Sequence, residues 1–360
     1  MFGKNNGDAL RRVTVRAPGV VKLFGEHAVV YGKPSVGATV NMYSKSVTEH
    51  NREGFYLKLS DLGVDSDIPN KVLADLYIRR TRGDNINNFI DTSTDVDKTI
   101  LPLATIAGNL FHQYGKPINA TTTLSSGIPT QRGFASSATI SVCFAVGISK
   151  FLGVKMTDSE MVKLAREGEK IAHRSEGAGI IDVNVSYYGG CISYSEENGI
   201  NRINMGKGLE EADLLMVDTG PKRSTSETVR AVAELMQKKE RETSRIIDDI
   251  GNISLDGIAA LKMGDLRALG ELMFLNQDML RRLGVSSDGL DKTVKIAREY
   301  GAYGAKLSGG GGGGLAIVLS PKGKSLKIIS LLSACGFGVS RCELTNFGAK
   351  SMVDSEPQTI

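Results

Sequence analysis

The sequence predicts an α+β protein built as two lobes, and three observations carry that expectation. Strand-like β-branched segments crowd the first fifty residues, long helical patterns dominate 226–299, and strand character returns at 306–320 and 338–344. That order is mixed rather than a strict strand–helix alternation. The length of 360 residues also exceeds what one hydrophobic core usually fills. The junction is placed at Gly189-Gly190, dividing the chain into 1–190 and 191–360.

Taken in order, residues 13–16 and 20–24 alternate as strands do, and 35–40 adds a third strand. Between them Gly25 marks a turn carrying Glu26-His27, an acid–imidazole pair set between two apolar β-branched runs. Such a pair is costly to bury without a polar partner. It is either the polar tip of a hairpin or one wall of a small-molecule pocket. Residues 61–97 are polar, with little pattern beyond a helix near 71–80. Residues 98–114 carry Leu101, Leu103, Ile106, Leu110 and Phe111 at helical spacing, and 118–125 reads as a strand. It leads into the loop Gly127-Ile-Pro-Thr-Gln-Arg-Gly-Phe-Ala-Ser-Ser-Ala138, which ends at a helix start.

Thr157-Asp-Ser-Glu160 has the form of a capping box, and Met161, Leu164, Ala165, Ile171 and Ala172 place an apolar stripe on the helix that follows. That helix is expected to end near Gly177. Strands are expected at 186–195 and 213–218, and helices at 226–241, 253–263, 266–279 and 288–299.

Hydrophobic content of 41% and charged content of 23% are those of a soluble globular protein. The formal net charge of +4 modestly favours anionic substrates such as nucleotides and carboxylates. Without a dense basic run, and with 6% aromatics and no Trp, nucleic acid is not an expected partner. The four cysteines are scattered without a Cys-x-x-Cys pair, so buried reduced thiols in a cytoplasmic protein are expected, not zinc or a disulfide. The first eight residues lack an apolar core, and the longest apolar stretch, 138–154, is broken by Ser141, Ser149 and Lys150; neither a signal peptide nor a membrane span is expected.

Three further segments can carry chemistry. In the loop 129–138, Gly133 permits close backbone approach to a ligand, while Ser136 and Ser137 offer hydroxyls at a helix start whose free N–H groups favour an anion. A plain N-cap explains the same serines. Lys306-Leu-Ser-Gly-Gly-Gly-Gly-Gly-Gly314 precedes the strand-like 315–319, which argues for a built loop against a flexible linker. A Walker-type phosphate loop is absent, because Val318 stands where the first glycine before Gly323-Lys324-Ser325 would be. Asp182 lies in the apolar, glycine-rich stretch 176–190, where a lone carboxylate needs a partner or a task.

The run Arg16-Ala-Pro-Gly-Val-Val-Lys-Leu-Phe-Gly-Glu-His-Ala-Val-Val-Tyr-Gly-Lys-Pro34 resembles the first motif of the GHMP small-molecule kinases, and its Gly-Glu-His-Ala-Val-Val-Tyr-Gly segment looks most like the mevalonate kinases. Pro129, Gly133, Phe134, Ser136, Ser137 and Ala138 follow the second motif, and the 306–314 run is similar to the third. The resemblance spans nearly the whole chain. It implies the two-lobed GHMP kinase fold, with a ribosomal protein S5 domain 2-like N-terminal lobe and a ferredoxin-like C-terminal lobe. It implies ATP as co-substrate with Mg²⁺, and transfer of the γ-phosphoryl group to the 5-hydroxyl of mevalonate. On this resemblance Asp182 is the catalytic base, and Glu169 and Ser137 are the metal ligands. ATP is held by Gly133, Phe134, Ala135, Ser136, Ser137 and Ala138, with Ser308 and Gly310 of the glycine run. Glu26, His27 and Thr225 contact the acceptor. For Glu169 a solvent-facing helix charge is the alternative, and for Thr225 a helix cap fits equally. A homodimer is the family's expectation.

Two departures stand out. The family's Lys directly after Pro-Gly is Val20 here, so the proposed substitute is Lys22, which on an extended strand faces the same side about 7 Å further on. Gln131 and Arg132 occupy a stretch that is usually small, and Ala135 stands where Gly is common; Arg132 either adds a cation near the phosphates or points to solvent. These changes leave two rivals: a sibling GHMP kinase acting on phosphomevalonate or a sugar, and a ligand sensor of the same fold without turnover.

Overall fold

The β-branched opening forms one long strand, β1 (Arg11–Phe24), paired antiparallel with β2 (Ser35–His50). A computed structural model of the chain describes residues 11–84, 98–128, 136–175, 177–220 and 224–355. The sequence reading splits β1 in two at Pro18-Gly19. Instead the ladder continues through a register shift there, from Pro18 opposite Tyr43 to Gly19 opposite Val40. An irregularity is where a strand tolerates a residue without an N–H.

The first sheet has the order β13–β1–β2–β5–β3–β4, where β3 is Phe55–Leu59, β4 Val64–Ile68, β5 Ala120–Ser126 and β13 Lys350–Ser355. The other half of β2 also pairs with β6 (Cys191–Ser195), which leads to β7 (Gly199–Ile203), and with the short β12 (Leu344–Thr345). One face of this sheet is covered by α1 (Asn70–Arg82), α2 (Leu101–Tyr114), α3 (Ser136–Leu152) and α4 (Asp158–His173), around a core that includes Val13, Val15, Phe55 and Phe144. The capping box that opens α4 is present, with Thr157 and Glu160 bonded reciprocally. The helix ends at His173, short of Gly177, on Arg174 in the left-handed conformation.

A second, four-stranded antiparallel sheet has the order β11–β8–β10–β9, with β8 at Ala212–Asp218, β9 at Gly304–Leu307, β10 at Leu315–Pro321 and β11 at Gly338–Cys342. Alternation along β8 sends Leu214 and Met216 into a core shared with Val21, Leu23 and Phe24 of β1. Leu215 and Val217 face the opposite way, into a core with the outer helices. Those helices are α6 (Thr225–Lys238), α7 (Glu240–Met263), α8 (Leu266–Arg282), α9 (Asp288–Glu299) and α10 (Lys322–Ala334). The expected junction at 190/191 falls inside the first sheet: β6 and β7 still belong to it, and β12 and β13 return to it after the second sheet is complete.

The expected strand at 186–195 is a correction. Residues 180–188 form a helix, α5 (Ile180–Tyr188), and only 191–195 is strand. Its β-branched residues favour extended backbone, but packing overrides that preference. Ile181 and Val185, one turn apart, press on Gly37 of β2, where a Cβ would meet their methyls at 3.0 and 3.1 Å. Only a glycine in β2 lets α5 lie this close. β3, β4, β7, α10 and β13, together with residues 242–252 of α7, were not expected from the sequence.

Candidate active site

Alternation along β1 aims Val20 and Lys22 at α5, and the two do different things there. Val20 is buried with Ile181, Val185 and Ile192, whereas the Lys22 ammonium lies 3.1 Å from Asp182 Oδ2. Asp182 is in the first turn of α5, where the helix dipole also favours a negative charge. Burial works against the charge on Lys22. Asp182, with Glu26 and Glu169 behind it, more than offsets this and raises its pKa above the ordinary lysine value. The second oxygen of Asp182, Oδ1, is buried without a hydrogen-bond partner among the described residues.

Two helices bring a second oxygen cluster to the same region. Glu169 on α4 is 2% exposed, so the solvent-facing alternative does not hold; its Oε2 accepts from Ser137 Oγ at the start of α3, at 3.2 Å. Its Oε1 is buried and has no partner among the described residues. His173 Nε2 lies 3.4 Å from both Ser137 Oγ and Glu169 Oε2, and the bond to Glu169 raises the imidazole's pKa against the effect of burial. His173 was not among the residues singled out from the sequence. The available signal was its i,i+4 spacing from Glu169, which puts both on one face of α4.

The Gly25 turn carries Glu26 and His27 into the lobe interface. Gly25 has φ 88°, and a Cβ there would lie 2.3 Å from the Pro34 carbonyl oxygen. Glu26 and His27 were expected to contact an acceptor side by side, and here the structure differs. The Glu26 carboxylate is 2% exposed and forms a buried ion pair with Lys306 of β9, so a substrate cannot reach it in this arrangement. His27, at φ 60°, points its Nε2 at the Gly310 carbonyl, 2.9 Å away. A carbonyl only accepts, so Nε2 carries the proton and Nδ1 is the bare acceptor of the neutral ring.

Burial lowers the His27 pKa to about 4, with the Gly310 carbonyl opposing and Lys22 reinforcing the shift. Because the folded value lies below the ordinary 6.5, the unfolded chain binds the extra proton first, and stability present above pH 6.5 is lost as pH falls toward 4. This histidine alone is expected to remove about 2 kcal/mol of unfolding free energy between pH 7 and pH 5. Urea titrations of the parent and of His27→Asn at both pH values measure it. An equal pH dependence in the two proteins would contradict the assignment.

The glycine run is held at both ends and in the middle, which no flexible linker is. The Ser308 N–H donates to the Leu315 carbonyl, the Gly312 N–H to Val285 and the Thr219 N–H to Gly314. The Ser308 hydroxyl accepts from the Lys22 N–H at 2.8 Å and donates to the Lys22 carbonyl at 3.1 Å. Gly310 lies against Thr225: a Cβ there would be 2.9 Å from Thr225 Oγ1. Thr225 is the exposed first residue of α6, and the cap is Ser224, in a capping box with Glu227. Lys22, His27 and Thr225 therefore converge on the 308–310 segment.

Arg132, Gly133, Phe134 and Ala135 lie outside the described residues, while Ser136, Ser137 and Ala138 open α3. Among the described residues no three His, Cys, Asp or Glu side chains are grouped to hold a metal. The donors present, Glu169 and a serine hydroxyl with a buried free carboxylate oxygen, suit a hard cation that completes its shell with water and phosphate. The cysteines are free thiols, and burial pushes those of Cys143, Cys191 and Cys342 up to about 12. No described helix is long and apolar enough to cross a membrane. A separate open cavity of about 720 Å³, lined by Tyr31, Lys33, Glu196, Asp248 and Leu255 among others, shares no residue with this cluster.

The family model for the GHMP kinases N terminal domain matches residues 101–190, and that for the GHMP kinases C terminal matches residues 258–336. The mevalonate kinase of Methanocaldococcus jannaschii is 30% identical over 342 residues, covering 92% of this chain and 99% of its own. The chain belongs to the GHMP kinase family. The mevalonate kinase of Aeropyrum pernix is 29% identical over 315 residues, 87% of this chain and 90% of that one. Among solved structures, L. major mevalonate kinase in complex with R-mevalonate is similar at 25% identity, with a TM-score of 0.72, covering 96% of this chain and 97% of that one.

Proposed function

We propose that this GHMP kinase transfers the γ-phosphoryl group of ATP to the 5-hydroxyl of mevalonate, giving ADP and 5-phosphomevalonate. The observation that carries the reading is the Lys22–Asp182 pair set between the Ser137–Glu169 oxygens and the His27–Gly310–Thr225 segment. Similarity to mevalonate kinases over nearly the full length supports the choice of acceptor.

In this reading Asp182 Oδ1, buried and without a partner, accepts the hydroxyl proton as the hydroxyl oxygen attacks the γ-phosphorus and the bond to the β-phosphate oxygen breaks. Lys22, 3.1 Å from Asp182 Oδ2, orients that carboxylate and steadies charge on the attacking oxygen. His27, neutral with Nδ1 bare, accepts from a hydroxyl of the acceptor, and Thr225 offers a second polar contact across Gly310. The start of α3, with Ser136 and Ser137, faces the phosphates, whose negative charge suits a helix N-terminus. Glu169 and Ser137 would hold Mg²⁺, which when bound offsets phosphate charge. Val20 favours a sensor without turnover, whereas the Lys22–Asp182 contact supports the kinase reading, with the cation coming from two residues further on.

A coupled ADP-release assay across mevalonate, phosphomevalonate, galactose and homoserine, with the product identified by NMR, tests the reading. Turnover with mevalonate alone, phosphorylated at the 5-oxygen, is expected; turnover only with another acceptor, or binding without turnover, would overturn it. Glu169→Gln is expected to raise the Mg²⁺ concentration for half-maximal rate at least about tenfold. An unchanged Mg²⁺ titration would take Glu169 out of the metal site.

A further inference from the structure

Three residues at or just beyond the end of β1 meet three residues of the glycine-run segment. The Lys22 backbone bonds the Ser308 hydroxyl, the Glu26 carboxylate pairs with the Lys306 ammonium, and the His27 ring bonds the Gly310 carbonyl. Lys306 is fully buried, and its ammonium is shared between Glu26 and the Leu307 carbonyl. Behind it, the Leu307 N–H donates to Gln277 Oε1 of α8 at 2.9 Å, and Gln277 Nε2 donates to the Ser286 hydroxyl. β9 is thus clamped to its own lobe on one side and holds the turn of the other lobe on the opposite side.

We propose that Lys306 is a positioning residue for acceptor binding: through Glu26 it sets the left-handed turn at His27, so that the imidazole keeps Nε2–H on Gly310 and presents Nδ1 to the acceptor. A buried carboxylate stripped of its cation does not stay where it is; it rotates toward water or takes up a proton, and either change moves the adjacent residue. His27 cannot follow freely, because its positive φ is tolerated only where neighbours hold it. Asp182 and Glu169 are attached to other elements and are left in place.

The kinetic arm rests on the mevalonate reading; the spectroscopic arm does not. In protein labelled with ¹⁵N-histidine, with His27 assigned by the signals missing from His27→Asn, the parent is expected to show a single Nε2–H tautomer. Lys306→Met, which keeps the aliphatic stem, is expected to lose that single tautomer and raise the acceptor KM at least about tenfold, with the ATP KM within about twofold. Removing both charges in Glu26→Gln/Lys306→Met is expected to restore much of the acceptor KM. The double variant also keeps the test open should the single one fail to fold: an acceptor KM near the parent's supports the proposal, and one as high as that of His27→Asn overturns it. An unchanged His27 spectrum in Lys306→Met overturns it too, as do equal rises in both KM values. A parent that turns over no mevalonate would sink the mevalonate reading while leaving the tautomer result to decide on Lys306.

Discussion

Asp182→Asn is expected to leave ATP and acceptor binding close to the parent's and to lower kcat by about 10²- to 10⁴-fold, the range for removing a positioned general base. Asparagine keeps the size and most of the hydrogen-bonding shape of the side chain, so α5 and its packing on Gly37 stay as they are. What is lost is the oxygen that takes the proton. The contact of Oδ2 with the Lys22 ammonium loses its ionic character at the same time. The useful comparison is single-turnover kinetics against equilibrium binding of a nucleotide analogue: a large fall in the first with little change in the second is the expected pattern. Asp182→Asn turning over at the parent's rate would remove the base and with it the mechanism.

Lys22→Ala is expected to lower kcat by about 10²- to 10³-fold, as for loss of one preorganised electrostatic stabiliser. The backbone of Lys22 remains latched to Ser308, because those bonds use its N–H and carbonyl, so the loss reports on the ammonium and not on the strand. Val20→Lys, made in the Lys22→Ala background, restores the arrangement familiar from the first motif. It sends the new stem into the cluster of Ile181, Val185 and Ile192, so only partial recovery of kcat is expected, with lower stability. Parent-like activity in Lys22→Ala would place the cation requirement elsewhere.

Where motif and spacing agree, the sequence picked out residues that the structure brings into contact: Ser137 with Glu169, Asp182 with Lys22, His27 with Gly310 and Ser308 with Lys22. The same-face relation of positions 20 and 22 followed from strand alternation alone. The partner of Glu26 was not legible, because a buried acid needs one and the sequence does not say which it is. That partner, Lys306, lies 280 positions away and is met only once β9 lies against the Gly25 turn. His173 was passed over although one helical turn separates it from Glu169. Among the elements, α5 was hidden because Ile180, Ile181, Val183 and Val185 favour strand, and its helicity depends on close approach to Gly37. β4 was hidden because an edge strand reading Val64-Asp-Ser-Asp-Ile68 buries only its last residue.

The pairing of β13 with β1 and of β12 with β2 has a consequence for how the molecule comes into being on the ribosome. The β1 rim of the first sheet is synthesised long before its covering strand β13, since Arg16 pairs with Lys350 and Arg11 with Ser355. Until β13 emerges, that rim offers open amide and carbonyl groups to any extended chain nearby. Arg12, which Glu49 of β2 holds in an ion pair, and Arg16 alternate along it, and such charged side chains on an open strand discourage a second nascent copy from docking there.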